Sequence, residues 1–523
     1  MSDARAACRE IIEEMNSGEA FDLDVLKNRA AKKYGLGRVP ANSEILGYAK
    51  EEEMELILQR LRRKPIRTLS GVAVAAAMAR PYPCPGRCIY CPRGEGAPQS
   101  YTGEEPAALR AKQAGYDPFL QVTHRLNQLQ SIGHPVDKVE LIIMGGTFPA
   151  QPEDYQEWFV RRCLDAMNSF DGCERSGGLI ESQLYNERAG VRNVGVTVET
   201  RPDYAKTMDV DRMLRLGVTR AELGVQSLSD EVYSKVDRGH TVEDVVESTR
   251  VLKDAGLKVC YHVMPGLFTA MDGDREMFRT LVGDPRFKPD AVKLYPTLVL
   301  EGTGLHELWR RGEYKPYTDA EALELITDVK RMMPKWMRTM RIQRDIPARL
   351  ITAGVRKGDL GELVRKRLLE LGERCKCIRC RDAGHLSYRE GIEVEGGKVL
   401  VEEYDASNGT EYFISIEDVE HDALIGYIRL RMPSKSAHRR EINGKTALVR
   451  ELKVLGQALR LGEPGKGIGQ HGGIGSALLA RAEESALQNG RNKILVTSAV
   501  GTREYYRKRG YERVGPYMGK TIG

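Results

Sequence analysis

The chain has no stretch of about 18 uninterrupted apolar residues, and its opening, Met-Ser-Asp-Ala-Arg-Ala, has no long apolar run behind it. Neither a membrane span nor a secretory leader is expected, which points to a cytoplasmic protein with no membrane partner. Cysteine is sparse too, 10 in 523 residues, and not scattered as disulfide pairs would be. Most of it sits in two tight triplets, which in a reducing compartment read as metal ligands, while Cys8, Cys163, Cys173 and Cys260 read as packing or surface residues. An excess of charge of one sign is nearly lacking: a formal +6 over this length proves nothing about partners by itself. Hydrophobic content of 41% and charged content of 29% are those of an ordinary soluble protein. The length is too great for one compact core and suggests about three domains.

What the chain does have is concentrated locally. Tyr82-Pro-Cys-Pro-Gly-Arg-Cys-Ile-Tyr-Cys91 places Cys84, Cys88 and Cys91 in a Cys-x3-Cys-x2-Cys triplet with an aromatic residue just before the last cysteine. Three thiolates can hold three irons of a [4Fe-4S] cubane and leave the fourth iron open. An open iron can chelate the amino and carboxylate groups of S-adenosylmethionine, so that an electron from the cluster cleaves the sulfonium and releases a 5′-deoxyadenosyl radical. A zinc knuckle would need a fourth ligand nearby, and residues 78–96 contain no histidine and no further cysteine.

Basic residues crowd two places near the amino terminus: Lys27, Arg29, Lys32, Lys33 and Arg38, then Arg60, Arg62, Arg63, Lys64 and Arg67. Such clusters neutralise phosphates, and they equally suit a solvated helix face beside Glu51, Glu52, Glu53 and Glu55.

From about residue 139 to 300 a rhythm recurs of short apolar run, polar loop and amphipathic stretch. The runs are Val139 to Met144, Val194 to Val198, Ala221 to Val225, Val259 to Val263 and Ala291 to Tyr295, each strand-sized and rich in β-branched residues. Asp209 to Leu216 and Val242 to Ala255 carry apolar residues at helical spacing. This βα alternation predicts a parallel sheet or partial barrel, whose chemistry belongs at the carboxyl ends of the strands. The residues there are Gly145-Gly-Thr-Phe148, Glu199-Thr-Arg-Pro202, Gln226-Ser227 and, inside a strand, His262.

Cys375-Lys-Cys377-Ile-Arg-Cys380 fits tetrahedral zinc with one further ligand, for which His385 is the nearest candidate; reduced cysteines on a linker are the alternative. Beyond it, Tyr412 to Ile416, Leu424 to Leu430 and Thr446 to Val449 read as successive antiparallel strands. Gln470-His-Gly-Gly-Ile-Gly475 then opens an amphipathic helix from Ser476 to Gln488, followed by a strand from Lys493 to Val500. A glycine-rich turn opening a helix presents free backbone N–H groups to a pyrophosphate, or is simply a helix cap. Its order among the strands matches the acetyl-coenzyme A fold of GNAT acetyltransferases, as do Tyr505-Tyr506 and Gly510-Tyr511.

Both modules in this order resemble the catalytic subunit of Elongator, the tRNA wobble-uridine modifying enzyme. The resemblance also rests on Pro98-Gln-Ser-Tyr-Thr-Gly103, Met144 to Phe148, Glu199 to Asp203, Gly224 to Ser227, Lys293 to Thr297, Arg341 to Pro347, Thr410 to Ile414 and Gly515 to Met518, and covers residues 70–523. The short gap between the first two cluster cysteines is similar to archaeal or bacterial relatives, which favours a self-sufficient enzyme over a subunit of a large assembly and leaves a homodimer open.

The resemblance implies an α/β multidomain protein: a basic tRNA-binding region at 1–72, a partial (β/α) radical SAM barrel at 73–345, a zinc-binding linker at 346–392 and a GNAT acetyltransferase α+β domain at 393–523. It implies carboxymethylation at C5 of the wobble uridine of tRNA, with acetyl-coenzyme A as carbon source, an electron donor for the cluster, and the anticodon stem-loop as partner. Gly145, Gly146, Thr147, Glu199 and Gln226 would line S-adenosylmethionine; Lys293 and Tyr295 would meet substrate. Gln470, His471, Gly472, Gly473, Ile474, Gly475 and Ser476 would hold the coenzyme A pyrophosphate, with Tyr505 or Tyr506 near the thioester and His471 placed to assist water. Lys27, Arg29, Lys32, Lys33, Arg62, Arg63 and Lys64 are the RNA-binding candidates. The rival enzyme is a protein lysine acetyltransferase with a merely structural iron–sulfur domain. A tRNA-binding scaffold ordered by its cofactors is the reading outside enzymes.

Overall fold

The computed structural model describes residues 2–17, 22–61, 68–173, 175–394, 396–456 and 473–523. Strands β1 (Ala73–Met78), β2 (Lys138–Met144), β3 (Arg192–Thr200), β4 (Arg220–Gln226), β5 (Lys258–Val263) and β6 (Ala291–Leu294) hydrogen-bond in chain order. The short β7 (Val299–Leu300) leaves the sheet, and β8 (Arg338–Ile342) joins it beside β6, so that seven strands run parallel in a half-barrel. β7 pairs with β9 (Ile351–Ala353) instead.

The two-residue period of a strand divides the half-barrel into an apolar and a polar face. Ala221, Leu223 and Val225 of β4 and Val259, Tyr261 and Val263 of β5 join the main core, where they meet Val245, Val251 and Leu252 of the helix Val242–Asp254. That helix begins where Thr241 caps it and Asp244 returns the bond to the Thr241 backbone. The alternate residues, Arg220 and Glu222, His262, and Lys293, reach each other across the opposite face. Charge inside the half-barrel is therefore a direct consequence of the strand pattern.

The carboxyl-terminal part is a second seven-stranded sheet. It contains β10 (Lys398–Ala406), β11 (Gly409–Asp418), β12 (Ala423–Met432), β13 (Thr446–Val454), β14 (Lys493–Val496), β15 (Glu512–Val514) and β16 (Tyr517–Thr521), ordered β10-β11-β12-β13-β14-β16-β15. All pairs are antiparallel except β13 with β14. One face buries Ile414, Ile428, Leu430 and Val449 against Leu478, Leu479, Ala482 and Ala486 of the helix Ile474–Gln488. The other supplies Phe413, Tyr427, Leu448, Leu495 and Tyr517 to the core shared with the half-barrel.

A layer of buried ion pairs joins the two sheets. Arg450 donates to Asp290 at 2.6 Å, Arg431 to Asp254 at 2.7 Å and Arg429 to the Trp336 carbonyl at 2.6 Å, while Glu411 and Glu451 pair with Arg450 at 2.8 Å and Arg429 at 3.0 Å within the second sheet. Asp290 also accepts the Val259 N–H at 2.8 Å, which fixes the start of β5. Removing one partner of a buried pair strands the other charge away from water, so Asp290→Ala is expected to cost about 3–5 kcal/mol. A lowered urea midpoint checks this.

At the amino terminus α1 (Ser2–Asn16), α2 (Leu23–Lys33), α3 (Asn42–Gly47) and α4 (Met54–Leu61) enclose their own core of Ile11, Ile12, Met15, Leu26, Ala30, Ile45, Ile57 and Leu61. Between the sheets lie three helices, Leu360–Glu370, Ile378–Arg381 and Ala383–Glu390. Among the described residues no helix is long and apolar enough to cross a membrane.

Candidate active site

Cys84, Cys88 and Cys91 lie on the loop that leaves β1, over the carboxyl ends of the parallel strands. Backbone bonds pin the loop: Ile89 N–H donates to Val236, and its carbonyl accepts from Leu305. Cys84 Sγ stands 3.8 Å from Thr147 Oγ1 and accepts the Gly86 N–H at 3.4 Å. Cys88 is buried and accepts from Arg238 Nη1 at 3.2 Å. The hydrogen bond from Cys91, reinforced by Arg238, pulls the Cys88 thiol down to about 5, and the same bond pushes Cys91 up. Cys88 thus favours the thiolate form, beside a buried guanidinium. Arg201, only 4% exposed, is clamped on Asp203 by two 2.9 Å bonds and has Nη1 buried without a partner. Two buried cations around a thiolate loop suit a group of negative sulfur atoms.

Gly145 and Gly146 follow β2 at φ +126° and +82°, a left-handed turn that a side chain would strain. It carries Thr147 to Cys84. Gln226 closes β4 at φ +69°, and its carbonyl accepts the Met264 N–H at 2.8 Å. Glu199, at the end of β3, accepts from Tyr101 Oη at 2.6 Å. Deeper in the half-barrel the fully buried Glu222 binds the Lys293 ammonium and accepts from His262 Nε2 at 2.9 Å. Burial would raise the Glu222 carboxyl, but Lys293 and then His262 overcome it and hold it far below the carboxylate range. Burial likewise opposes the Lys293 charge, and Glu222 reverses this. The Tyr295 ring meets that of His262 edge-on at 5.5 Å.

In the second sheet β13 pairs with β14 only from Thr446 to Val449; from Gly426 to Arg431 of β12 the partners run on to Val454. The parallel pair therefore ends while β13 continues. Gly473, at φ +81°, starts the helix Ile474–Gln488 there, and a Cβ at Gly475 would meet Tyr505 Oη at 2.6 Å. Arg509 stacks 3.6 Å from the Tyr505 ring and donates to Ser476 Oγ at 2.8 Å. Tyr506 is buried behind Tyr505 in the sheet core. Gln470, His471 and Gly472 lie outside the described residues.

The sulfurs of Cys375, Cys377 and Cys380 lie within 4.8 Å of one another, as ligands of one ion would. His385 is not in that group: it lines the adjoining cavity of about 330 Å³, with Nδ1 buried and unpartnered. Lys330 comes closest instead, its ammonium donating to Cys377 at 3.3 Å, Cys380 at 3.5 Å and Thr339 Oγ1 at 3.0 Å. At the amino terminus Arg29, Lys32 and Lys33 are exposed, with Arg29 and Lys33 paired to Glu14 and Glu10. Lys27 does not belong with them: it is 4% exposed and donates to Asn42 Oδ1 at 2.9 Å, since position 27 falls on the face of α2 that meets the core. Arg62, Arg63 and Lys64 lie outside the described residues.

Sequence reading gave Arg201 no role of its own and missed Arg238, Lys330 and the pairing of Glu222 with His262. Arg238 meets a cysteine 150 positions away, and no local pattern announces such a contact.

A half-barrel with a cysteine triplet above its strand ends defines a class. Residues 82–282 match the radical SAM superfamily, 289–370 the radical SAM C-terminal domain and 4–69 the ELP3 N-terminal domain. The chain is 51% identical to a tRNA uridine(34) acetyltransferase of Methanocaldococcus jannaschii, covering 99% of this chain and 98% of that protein. It is 42% identical to human Elongator complex protein 3, covering 98% and 96%. The solved structure of archaeal Methanocaldococcus infernus Elp3, with residues 1–46 deleted, matches at a TM-score of 0.77 and 48% identity over 87% of this chain and all of that one. The chain belongs to the family of tRNA uridine(34) acetyltransferases and Elongator complex protein 3. That membership brings a [4Fe-4S] cluster and S-adenosylmethionine, and the thiolate loop with its two buried arginines fits them.

Proposed function

We propose that the protein installs a carboxymethyl group at C5 of the wobble uridine of tRNA, using acetyl-coenzyme A and a radical derived from S-adenosylmethionine. The observation that carries this reading is that two sheets sharing one core carry, on the first, a thiolate loop over parallel strand ends and, on the second, a glycine-opened helix at a strand splay. When bound, the cluster and S-adenosylmethionine supply the radical that activates the acetyl methyl group.

The chain's own residues then have separate tasks. Cys84, Cys88 and Cys91 hold the cluster. Gly145, Gly146 and Thr147 give S-adenosylmethionine a close backbone approach, with Glu199 and Gln226 at its polar groups. Lys293 and Tyr295 face the base. Gly473 to Ser476 offer first-turn N–H groups and the positive helix end to the pyrophosphate. Tyr505, with Tyr506 behind it, flanks the thioester, and Gln470, His471 and Gly472 complete the seat, His471 assisting the water that cleaves the thioester. An unpaired base in an anticodon loop costs little to extrude.

In this reading 1–72 is the tRNA-binding region, 73–345 the radical SAM barrel, 346–392 a zinc-binding linker and 393–523 a GNAT acetyltransferase domain. The cysteine triplet supports zinc by its spacing and mutual approach, and the Lys330 ammonium offsets the negative charge that three thiolates leave on a divalent ion. Partners are tRNA and an electron donor for the cluster.

Acetyl-coenzyme A turnover tests the assignment. It should require tRNA, whereas efficient acetylation of lysine peptides without tRNA would favour the lysine acetyltransferase. Reversing charge at the exposed Lys32 and Lys33 together should weaken tRNA binding and reduce the salt slope by about 1–2. Titrations at several salt concentrations check this; an unchanged slope would place the RNA surface elsewhere.

A further inference from the structure

We propose that His262, oriented by Glu222, is the base that removes the proton from C5 of the uridine ring after the new carbon–carbon bond forms. The proposal deepens the function given above and rests on it. Replacing hydrogen by carbon at C5 passes through a ring radical centred at C6, and restoring the double bond requires the C5–H bond to break. The C–H pair and the unpaired electron supply three electrons. Two form C5=C6, the third passes to a one-electron acceptor of the oxidised iron–sulfur class, and the proton needs a base inside the half-barrel.

Glu199, the other carboxylate near Lys293 and Tyr295, accepts from Tyr101 Oη at 2.6 Å and belongs to the S-adenosylmethionine end of the site, and the remaining groups that face this space leave one candidate. Lys293 stays protonated, because Glu222 outweighs the burial that opposes its charge. Glu222 is held ionised far below the carboxylate range, and its side chain is fully buried under Lys293, His262 and Arg220, the last at 3.5 Å. Burial pushes the thiol of Cys260 and the phenol of Tyr295 up, so neither is a ready base or acid near neutrality. His262 remains, 13% exposed on the polar face of β5 beside the Tyr295 ring. An ionised carboxylate accepts, so Nε2 of the neutral ring carries the hydrogen shared with Glu222 at 2.9 Å. Nδ1 is then the basic atom. A carboxylate that fixes the tautomer and steadies the imidazolium is the arrangement found in catalytic dyads and triads.

The ligand atoms of Glu222, Cys260 and His262 also lie within 4.8 Å of one another, the spacing of a metal site. Two cations already bind the carboxylate there, and a third would be repelled.

The experiment uses the reconstituted enzyme with tRNA carrying tritium at C5 of the wobble uridine. Wild-type enzyme should release tritium to water in step with modified nucleoside. His262→Ala should keep its iron content and continue to form deoxyadenosine, while tritium release falls at least about a hundredfold, the lower range for loss of a general base. Added imidazole should restore part of the release. Glu222→Gln should lower release through the wrong tautomer, again without loss of deoxyadenosine. Wild-type tritium release by His262→Ala would overturn the assignment, as would a parallel fall in deoxyadenosine, which marks a structural role. A stoichiometric metal lost in both Cys260→Ser and His262→Ala would overturn it as well. Absence of modified uridine from the wild-type enzyme would overturn the proposed function itself.

Discussion

Cys88→Ala is expected to abolish cleavage of S-adenosylmethionine and, with it, tRNA modification. Cys88 is the most buried cysteine of its triplet and the one held as a thiolate by Cys91 and Arg238. In the proposed site its loss would remove an iron–sulfur bond and leave the buried Arg238 facing a methyl group. A thousandfold loss corresponds to only about 4 kcal/mol, well below the cost of a missing cluster ligand, so the expected fall in deoxyadenosine is larger than that. Iron and sulfide analysis of the anaerobic protein, together with deoxyadenosine quantitation, checks this result. Full cluster content with undiminished deoxyadenosine would remove Cys88 from the site. Thermal unfolding separates the effect from a folding defect, because the core residues of the half-barrel strands form a cluster that does not include Cys88.

Gly475→Val is expected to weaken acetyl-coenzyme A binding by at least about a hundredfold, or about 2.7 kcal/mol. A Cβ at this position would already lie 2.6 Å from Tyr505 Oη, and valine adds two methyl groups in the first turn, where the proposed seat brings the backbone close to an anion. Tyr505 cannot retreat freely, since Arg509 stacks on it at 3.6 Å and Tyr506 packs behind it. Calorimetric titration measures the affinity. Deoxyadenosine formation without acetyl-coenzyme A should be unchanged, which localises the defect to the second sheet. Unaltered affinity would move the coenzyme away from this helix.

Much of this architecture was legible from periodicity. The runs from Val139, Val194, Ala221, Val259 and Ala291 are strands β2 to β6, because buried parallel strands show their β-branched residues almost continuously. β1 was missed: Ala73–Met78 is mostly alanine, and its strand character comes from pairing with β2 rather than from its side chains. β8 was missed for a related reason, as Arg338–Ile342 carries two arginines whose place is set by neighbours distant in sequence. The cysteines and glycines were legible because their chemistry constrains local spacing. Arg238, Lys330 and Glu222 were not, because burial of a charge is decided by the tertiary partner that compensates it. The basic cluster misled at Lys27 for the same reason: charge is visible in sequence, but which face of α2 it occupies is not.

The ion-pair layer gives the two halves a fixed relation. Asp290 anchors β5 through Val259 and binds Arg450 of β13, so the strand bearing His262 and the strand that runs on past the parallel pair share one carboxylate.

Nucleoside analysis of tRNA after anaerobic incubation with the reconstituted protein, S-adenosylmethionine, a reductant and acetyl-coenzyme A labelled in its methyl carbon tests the central claim most directly. The account predicts labelled 5-carboxymethyluridine at the wobble position, dependent on every component. Labelled acetyl-lysine with unmodified tRNA would contradict it.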